Sequence, residues 1–563
     1  MERGSPRRGR PVQLAGRALQ NVAGLVRDAF VAPFAQRVAR EWLAVRLDHG
    51  ISEAPRRGRL WLPSAFPAPQ PLPNVLEALR LASADAGVRG VFVRLGGAPL
   101  GWAKVAALAR ALLRARKAGK HVVAYAEATG NAGAWLGGLA NRFWMAPAGR
   151  LDLLGVRLES VFLRRALDQL GIGAEVLAAG RYKSFGEMLD RERMSEPARE
   201  ALESVVDDLY ATLVEGLAAG KAGDTETARR WIDGGPYLAE EALEEGLVDE
   251  LVYGDEIPAR LAEISGDRAT GVSGEPPTAQ PIGAGAYVRV ARRRFTWFPI
   301  SEGPPRIAVV PVLGLIRPSA ATPRGVVGTL RRLERDDTVR GVVVRVDSGG
   351  GDPLASDLIW RALKKLAERK PVVASLGDRA ASGGYYVAMA ANEIVAEEAT
   401  LTGSIGVVLA GLEFEGLLGR VGVGLDGVER GKHAGIYAAT HPRSEEEREL
   451  LQRQIELLYR RFTRNVAESR ALSMGDLEAV AEGRVWSGRQ ASQNKLVDRL
   501  GGLELALERA EILAGLQAGQ GVPFYCPAQP AGPGRFLRRN PLEASPAPAS
   551  PAQLWCPIRV ELA

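Results

Sequence analysis

The chain is 563 residues long, 46% apolar and 25% charged, enough ordinary globular material for two to four domains and too much for a small stapled fold. Its net charge of +7 is concentrated in residues 1–47, where nine arginines stand against Glu2, Asp28 and Glu41; the nearly neutral remainder argues against nucleic-acid binding. Two cysteines near the C-terminus, Cys526 and Cys556, supply neither a disulfide framework nor a zinc spacing, and no HExxH motif is present, so no metal and no cofactor is expected.

Leu14 to Leu47 reads as one or two basic amphipathic helices broken near Pro33, with apolar residues at Leu19, Val22, Val26 and Phe30, then Phe34, Val38, Trp42 and Val45. Residues 1–50 are therefore expected to pack on their own protein or to lie on an anionic membrane surface. The segment lacks the apolar core of a signal peptide, and no run of about 18 apolar residues occurs anywhere. The expected location is membrane-associated without a transmembrane helix, or cytoplasmic.

Two passages then match across most of the chain. Val88-Arg89-Gly90-Val91-Phe92-Val93-Arg94-Leu95 reappears as Val339-Arg340-Gly341-Val342-Val343-Val344-Arg345-Val346, at an offset of 251. The same offset relates Ala140-Asn141 to Ala391-Asn392 and Gly171-Ile172-Gly173 to Gly422-Val423-Gly424. Gly119-Lys120-His121-Val122-Val123 and Leu247-Val248-Asp249 recur with slips of one or two residues. Two tandem copies of one domain explain this. Each copy alternates apolar strands with helices, which predicts an α/β fold of tandem βαβ domains with parallel sheets. The expected division is a first copy over 51–263, a connector over 264–304, a second copy over 305–526 and a Pro/Ala-rich tail over 527–563.

The copies differ where chemistry would sit. Val372-Val373 leads into a turn signal at Gly377-Asp378, and Ala381-Ser382-Gly383-Gly384 opens a small-residue helix. A serine there either caps the helix or projects as a nucleophile, with the next N–H facing an oxyanion and glycines admitting a substrate backbone. In the first copy Asn131 takes the place of Ser382. The bend Asp347-Ser348-Gly349-Gly350-Gly351 corresponds to Gly96-Gly97-Ala98-Pro99-Leu100, where proline removes an N–H. A serine nucleophile needs a base. Of the four histidines, His49 and His121 are poorly placed, whereas His433 and His441 remain candidates; a buried, uncharged lysine is the other option. Lys183 aligns with Ala434, so one copy has that lysine without the serine and the other the serine without the lysine.

The segments Arg181-Tyr182-Lys183-Ser184, Ala380-Ala381-Ser382-Gly383-Gly384-Tyr385 and Leu401-Thr402-Gly403-Ser404-Ile405-Gly406-Val407 resemble the long, duplicated bacterial signal peptide peptidases of family S49. The resemblance spans roughly residues 60–526 and takes in Glu482-Gly483-Arg484-Val485-Trp486-Ser487-Gly488. It implies a Clp/crotonase-like fold, Ser382 as nucleophile, Lys183 as general base, Ser404 holding the lysine amine, and backbone N–H donors from Gly383 and from Gly350 or Gly351. It also implies apolar, signal-peptide-like substrates and a homo-oligomer, a tetramer in relatives. Three departures stand out. The family usually has Asn-Ser-Pro-Gly-Gly where this chain has Asp347 to Gly351, a glycine where it has Lys495, and an N-terminal membrane helix where it has arginines. Two rival readings share the fold: a crotonase-like acyl-thioester enzyme and a catalytically silent membrane-surface scaffold.

Overall fold

The strands are continuous apolar, largely β-branched runs, because helices cover both faces of each parallel sheet. The computed structural model describes residues 42–54, 69–266, 278–295, 305–318, 321–526 and 554–555. In the first copy β1 (Trp42–Arg46), β2 (Gly90–Arg94), β3 (His121–Gly130) and β4 (Arg142–Asp152) lie side by side and parallel. A further strand, β5 (Gly173–Ala179), leaves that sheet. In the second copy β6 (Arg306–Leu313), β7 (Val339–Ser348) and β9 (Val372–Ala381) run parallel, with the short glycine strand β8 (Gly350–Gly351) just beyond β7. β9 pairs in turn with β10 (Glu393–Ala396) and β11 (Leu401–Gly403), after which β12 (Val407–Glu413) leaves the sheet. One face of the first sheet is covered by the Ile257–Ser265 helix over Trp42, Phe92 and Val123, and the matching face of the second by Leu503–Leu513 over Val309, Val343 and Val373.

The repeated polar residues mark backbone groups that strands leave unpaired. Asn141 and Asn392 accept the N–H of Val122 and Val372, and Asp249 and Asp498 accept those of Phe143 and Ile394. Lys120 and Lys370 donate to paired carbonyls at or just past the end of an earlier helix: Asp85 and Val88 after Leu72–Ala84 in one copy, Leu333 and Asp336 around the end of Ala321–Arg335 in the other. Satisfying such buried groups is worth about 1 kcal/mol each, and leaving them unpaired costs more.

Three expectations are corrected. Trp42 to Arg46 is not helical: Trp42-Leu43-Ala44-Val45 is a continuous buried run that forms a strand inside the first sheet, so that copy begins before residue 51. The expected connector holds structure as well. Ile282–Gly283 extends the first sheet beside β1, and the Ala284–Phe295 helix that follows buries Tyr287 and Val288 in the first core. Gly377-Asp378 is a bulge within β9 rather than a turn: Val346 pairs with Leu376 and Ser348 with Ala380, so three residues oppose Asp347. The amphipathic reading of residues 1–41 and most of the 527–563 tail lie outside the described residues.

The copies are joined by an antiparallel ladder in which β12 pairs with β5, from Val407 opposite Ala179 to Glu413 opposite Gly173. Their cores interpenetrate: Ala179 packs in the second, while Ala381, Leu401 and Val485 pack in the first.

Lys495 adopts φ 60°, a left-handed conformation, where the first copy has Gly246 at φ 76°. A side chain there is strained by roughly 1–2 kcal/mol. Lys495→Gly is expected to raise the melting temperature by about 2 °C, read by calorimetry, since the relief exceeds the added unfolded-state entropy.

Candidate active site

Ser382 sits where β9 ends and the Gly383–Ala388 helix begins, at φ 55° and ψ −119°, fully buried. A non-glycine residue held there is strained, and two backbone bonds pin it: Ser382 N–H donates to the Gly403 carbonyl at 2.8 Å, and Tyr386 N–H donates to the Ser382 carbonyl at 2.9 Å. The two glycines that follow let the helix start press on the glycine bend. A Cβ on Gly384 would lie 2.4 Å from the Ser348 carbonyl oxygen, and one on Gly383 would lie 3.2 Å from Gly351 N. Gly350 N–H already donates to Ser348 Oγ at 3.1 Å, and its carbonyl accepts from Ile316 N–H. The Gly350 N–H is thus engaged within the bend itself. The glycine strand β8 also pairs antiparallel with Leu554–Trp555 of the same chain, so this edge accepts an extended backbone.

Lys183 follows β5, as Ser404 precedes β12, so the ladder between copies carries the lysine to the serine. Lys183 Nζ lies 2.8 Å from Ser382 Oγ and donates to Ser404 O and Ser404 Oγ, both at 2.9 Å. All three residues are buried. The Glu482-Gly483-Arg484 segment makes this possible: Tyr182 N–H donates to the Glu482 carbonyl, Ser404 N–H to that of Arg484 and Gly483 N–H to that of Ile405. A Cβ on Gly483 would stand 2.6 Å from Lys183 N. Arg484 also lies over the Tyr182 and Trp486 rings and pairs with Glu200. The role of this segment was invisible in the sequence, although its motif was not.

The remaining candidates fall elsewhere. Asn131, in the place of Ser382, is fully buried and spent on structure: Nδ2 donates to the Gly155 carbonyl, and Oδ1 accepts from Leu154 and Gly155. His433 faces Glu446 and Glu447 at 3.8 and 3.9 Å, and His441 lies against Gly435, so neither stands as a base for Ser382.

The family model described as Peptidase family S49 matches this chain twice, over residues 114–266 and 364–517. The chain belongs to peptidase family S49. Among S49 relatives, Serine protease SPPA, chloroplastic, of Arabidopsis thaliana is 33% identical over 496 residues, covering 86% of this chain and 72% of its own. Protease 4 of Salmonella typhi is 31% identical over 459 residues, 79% of this chain and 72% of its own. The chain is accordingly a serine-type peptidase. A mutant ClpP1 from Listeria monocytogenes, a solved structure, is 17% identical with a TM-score of 0.24, over 34% of this chain and 91% of its own. Among the described residues no helix is long and apolar enough to cross a membrane.

One departure from the S49 pattern has a structural explanation. Asp347 turns its carboxylate away from the glycine bend and toward the first copy. Its Oδ1 accepts Arg379 N–H at 3.1 Å, and its Oδ2 lies 3.6 Å from Lys104 Nζ. Lys104 also pairs with Asp378 and, at 3.3 Å, with Glu53, while Arg345 grips Glu53 at 2.9 and 3.1 Å. Asp378 in turn accepts Ala103 N–H, capping the Trp102–Lys117 helix of the other copy. The carboxylates of Glu53, Asp347 and Asp378 lie close enough to hold a cation, and the Lys104 ammonium reaches all three. With three acids against two bases, the charge is not balanced. Burial, reinforced by Glu53 and Asp378, pushes the Asp347 carboxyl up to about 6, whereas Glu53 is drawn down to about 2 by Arg345 and Lys104 against the effect of its own burial.

A folded-state value above the unfolded one means that protonated Asp347 favours the fold. Its contribution is present below about pH 4 and lost as pH rises through about 6. Asp347→Asn removes this dependence. Its urea midpoint relative to wild type is expected to be higher at pH 8 than at pH 4, measured by fluorescence at both values.

Proposed function

We propose that this S49 peptidase hydrolyses peptide bonds through Ser382 as nucleophile and Lys183 as general base, forming an acyl-enzyme. The observation that carries the reading is the 2.8 Å approach of Lys183 Nζ to Ser382 Oγ with the same nitrogen directed at Ser404 O and Oγ. An uncharged amine has two N–H bonds and one lone pair. Its two N–H bonds fit the two Ser404 oxygens, which leaves the lone pair for the Ser382 hydroxyl proton. Burial disfavours an ammonium there. Ser382 Oγ gives its proton to Lys183 Nζ and attacks the scissile carbonyl carbon. The Gly383 and Gly351 N–H groups receive the oxyanion, Gly350 being engaged with Ser348 Oγ. The lysine then returns the proton to the leaving amine, and in the second half takes one from water, which releases the acid and restores Ser382.

Extended peptides with apolar side chains are the substrates this site suits. The antiparallel pairing on β8 is the arrangement such a backbone would adopt. Leu354 and Leu358, one turn apart on the helix just past the bend, stand 63% and 52% exposed. An Enterococcus faecium protein named for signal peptide peptidase is 36% identical over 180 residues, 32% of this chain and 52% of its own, which favours released signal peptides as the class. The working form is a homo-oligomer, and peripheral membrane contact through residues 1–47 falls largely outside the described residues.

Ser382→Ala, Lys183→Ala and the near-isosteric Lys183→Met are each expected to lower turnover of an apolar fluorogenic peptide at least about 1000-fold. Their melting curves should stay cooperative. A fluorophosphonate should label Ser382 in wild type and fail in both lysine variants. Labelling of Lys183→Met at the wild-type rate would overturn the assignment, and labelling of wild type without peptide cleavage would favour acyl-thioester chemistry.

A further inference from the structure

The strands β7 and β9 lead into the two parts of the candidate site, the glycine bend and Ser382, and between them the ladder breaks. The bulge falls one residue before Ser348 on one strand and three residues before Ser382 on the other. A bulge interrupts the ladder, so the sheet alone does not set how far apart the two strand ends lie. Side chains take over there. Arg345 donates to the Leu376 carbonyl at 2.7 Å, Thr400 Oγ1 to the Gly377 carbonyl at 2.8 Å, and Arg379 N–H to Asp347 Oδ1 at 3.1 Å.

The residues on the two sides of the bulge, Asp347 and Asp378, are both acids. One oxygen from each lies within 4.8 Å of the other and of a Glu53 oxygen. Like charges on adjacent strands push them apart. The Lys104 ammonium stands among the three, 3.6 Å from Asp347 Oδ2, 3.3 Å from Glu53 Oε1 and paired with Asp378. Burial pulls that ammonium down, yet Asp378, Glu53 and Asp347 together hold it above the usual lysine range, so it stays charged. It comes from the other copy, in the first turn of the Trp102–Lys117 helix, whose Ala103 and Lys104 N–H groups also donate to Asp378 Oδ1 at 3.1 and 3.3 Å. A Cβ on Gly101 would collide with the Asp378 carboxyl, so the start of this helix is shaped to admit it. By the 251-residue offset Ala355 stands where Lys104 does, and Gly96 where Asp347 does. Neither partner recurs in the other copy, the same reciprocal pattern that singles out Ser382 and Lys183.

We propose that Lys104 is a positioning residue: its ammonium, reaching across from the first copy, draws the end of β7 to the bulge of β9 and thereby fixes the spacing between the glycine bend and Ser382. It acts through Asp347 and Asp378 rather than on the reacting atoms. A cavity of about 240 Å³ borders Lys104, Asp347, Asp378 and Arg379, so without the ammonium the acids have open space into which to part. A misplacement of about 1 Å at a reacting centre costs on the order of 100-fold in rate. That the spacing governs turnover rests on the Ser382–Lys183 reading; that Lys104 sets the spacing does not.

The test uses the full-length chain carrying Lys104→Met, which keeps the aliphatic stem and removes the charge, at a pH of about 9 so that the carboxylates are ionised. With an apolar fluorogenic peptide, kcat is expected to fall about 10- to 100-fold while KM stays within about twofold. Adding Asp347→Asn returns the group to its wild-type net charge and keeps an oxygen for Arg379 N–H. That double variant is expected to recover kcat to within about threefold of wild type, a non-additivity that a purely packing role for Lys104 would not produce. Amide hydrogen exchange over residues 345–351 and 376–382 should rise in Lys104→Met and return in the double variant. If Lys104→Met does not fold, Lys104→Gln gives the same comparisons. Wild-type kcat in the single variant, or a double variant no faster than the single one, would sink the proposal. Fluorophosphonate labelling of Ser382 in wild type reports on the catalytic reading separately. Raised exchange in Lys104→Met beside an unlabelled wild-type Ser382 would remove that reading and leave the positioning role standing.

Discussion

The antiparallel ladder between β5 and β12 is the constraint on which the rest depends. Lys183 lies four residues past the end of β5, and Ser404 three residues before β12 begins, so pairing these strands delivers an amine to a pair of oxygens buried beside Ser382. Backbone hydrogen bonds define such a register sharply, because a slip of one residue would turn every side chain to the opposite face. A lysine brought in on a loose loop would have to be ordered anew; one anchored at the end of a ladder, against Gly483, is already in place.

A second contact holds the other side of the site. The Lys104 ammonium and the Arg345 guanidinium sit among Glu53, Asp347 and Asp378, and this group ties the first copy to both strands that frame Ser382. Asp347 lies at the end of the strand leading to the glycine bend, and Asp378 lies in the bulge of the strand leading to Ser382. Buried charges of this kind contribute little net stability against an apolar alternative, yet removing one partner is costly, so they favour a single arrangement of the two copies.

The two copies differ at the positions that surround this junction. One has a strand with a lysine after it and, where the other has its serine, a buried asparagine that satisfies three backbone groups. The other has the serine and the glycine bend, with Ala434 at the place of the lysine. The lysine of one copy and the serine of the other meet at the junction between them.

Much of this was legible in the chain itself. The parallel strands were, because sheets covered on both faces demand uninterrupted apolar runs, and the duplication was, because Asn141, Asn392, Asp249 and Asp498 each answer a backbone group that no strand can satisfy. Ser382 and Lys183 stood out through their reciprocal absence from the two copies and through the S49 motifs. Trp42 to Val45 is not decided by the sequence, because a short apolar run at the edge of a basic segment suits helix and strand alike, and only its neighbour β2 decides between them. The same is true of Asp378, a turn residue by composition that becomes a bulge and a cap because another copy's helix begins beside it. Local chemistry is written residue by residue, whereas pairings between distant segments depend on the whole packing, and the site is one of those pairings.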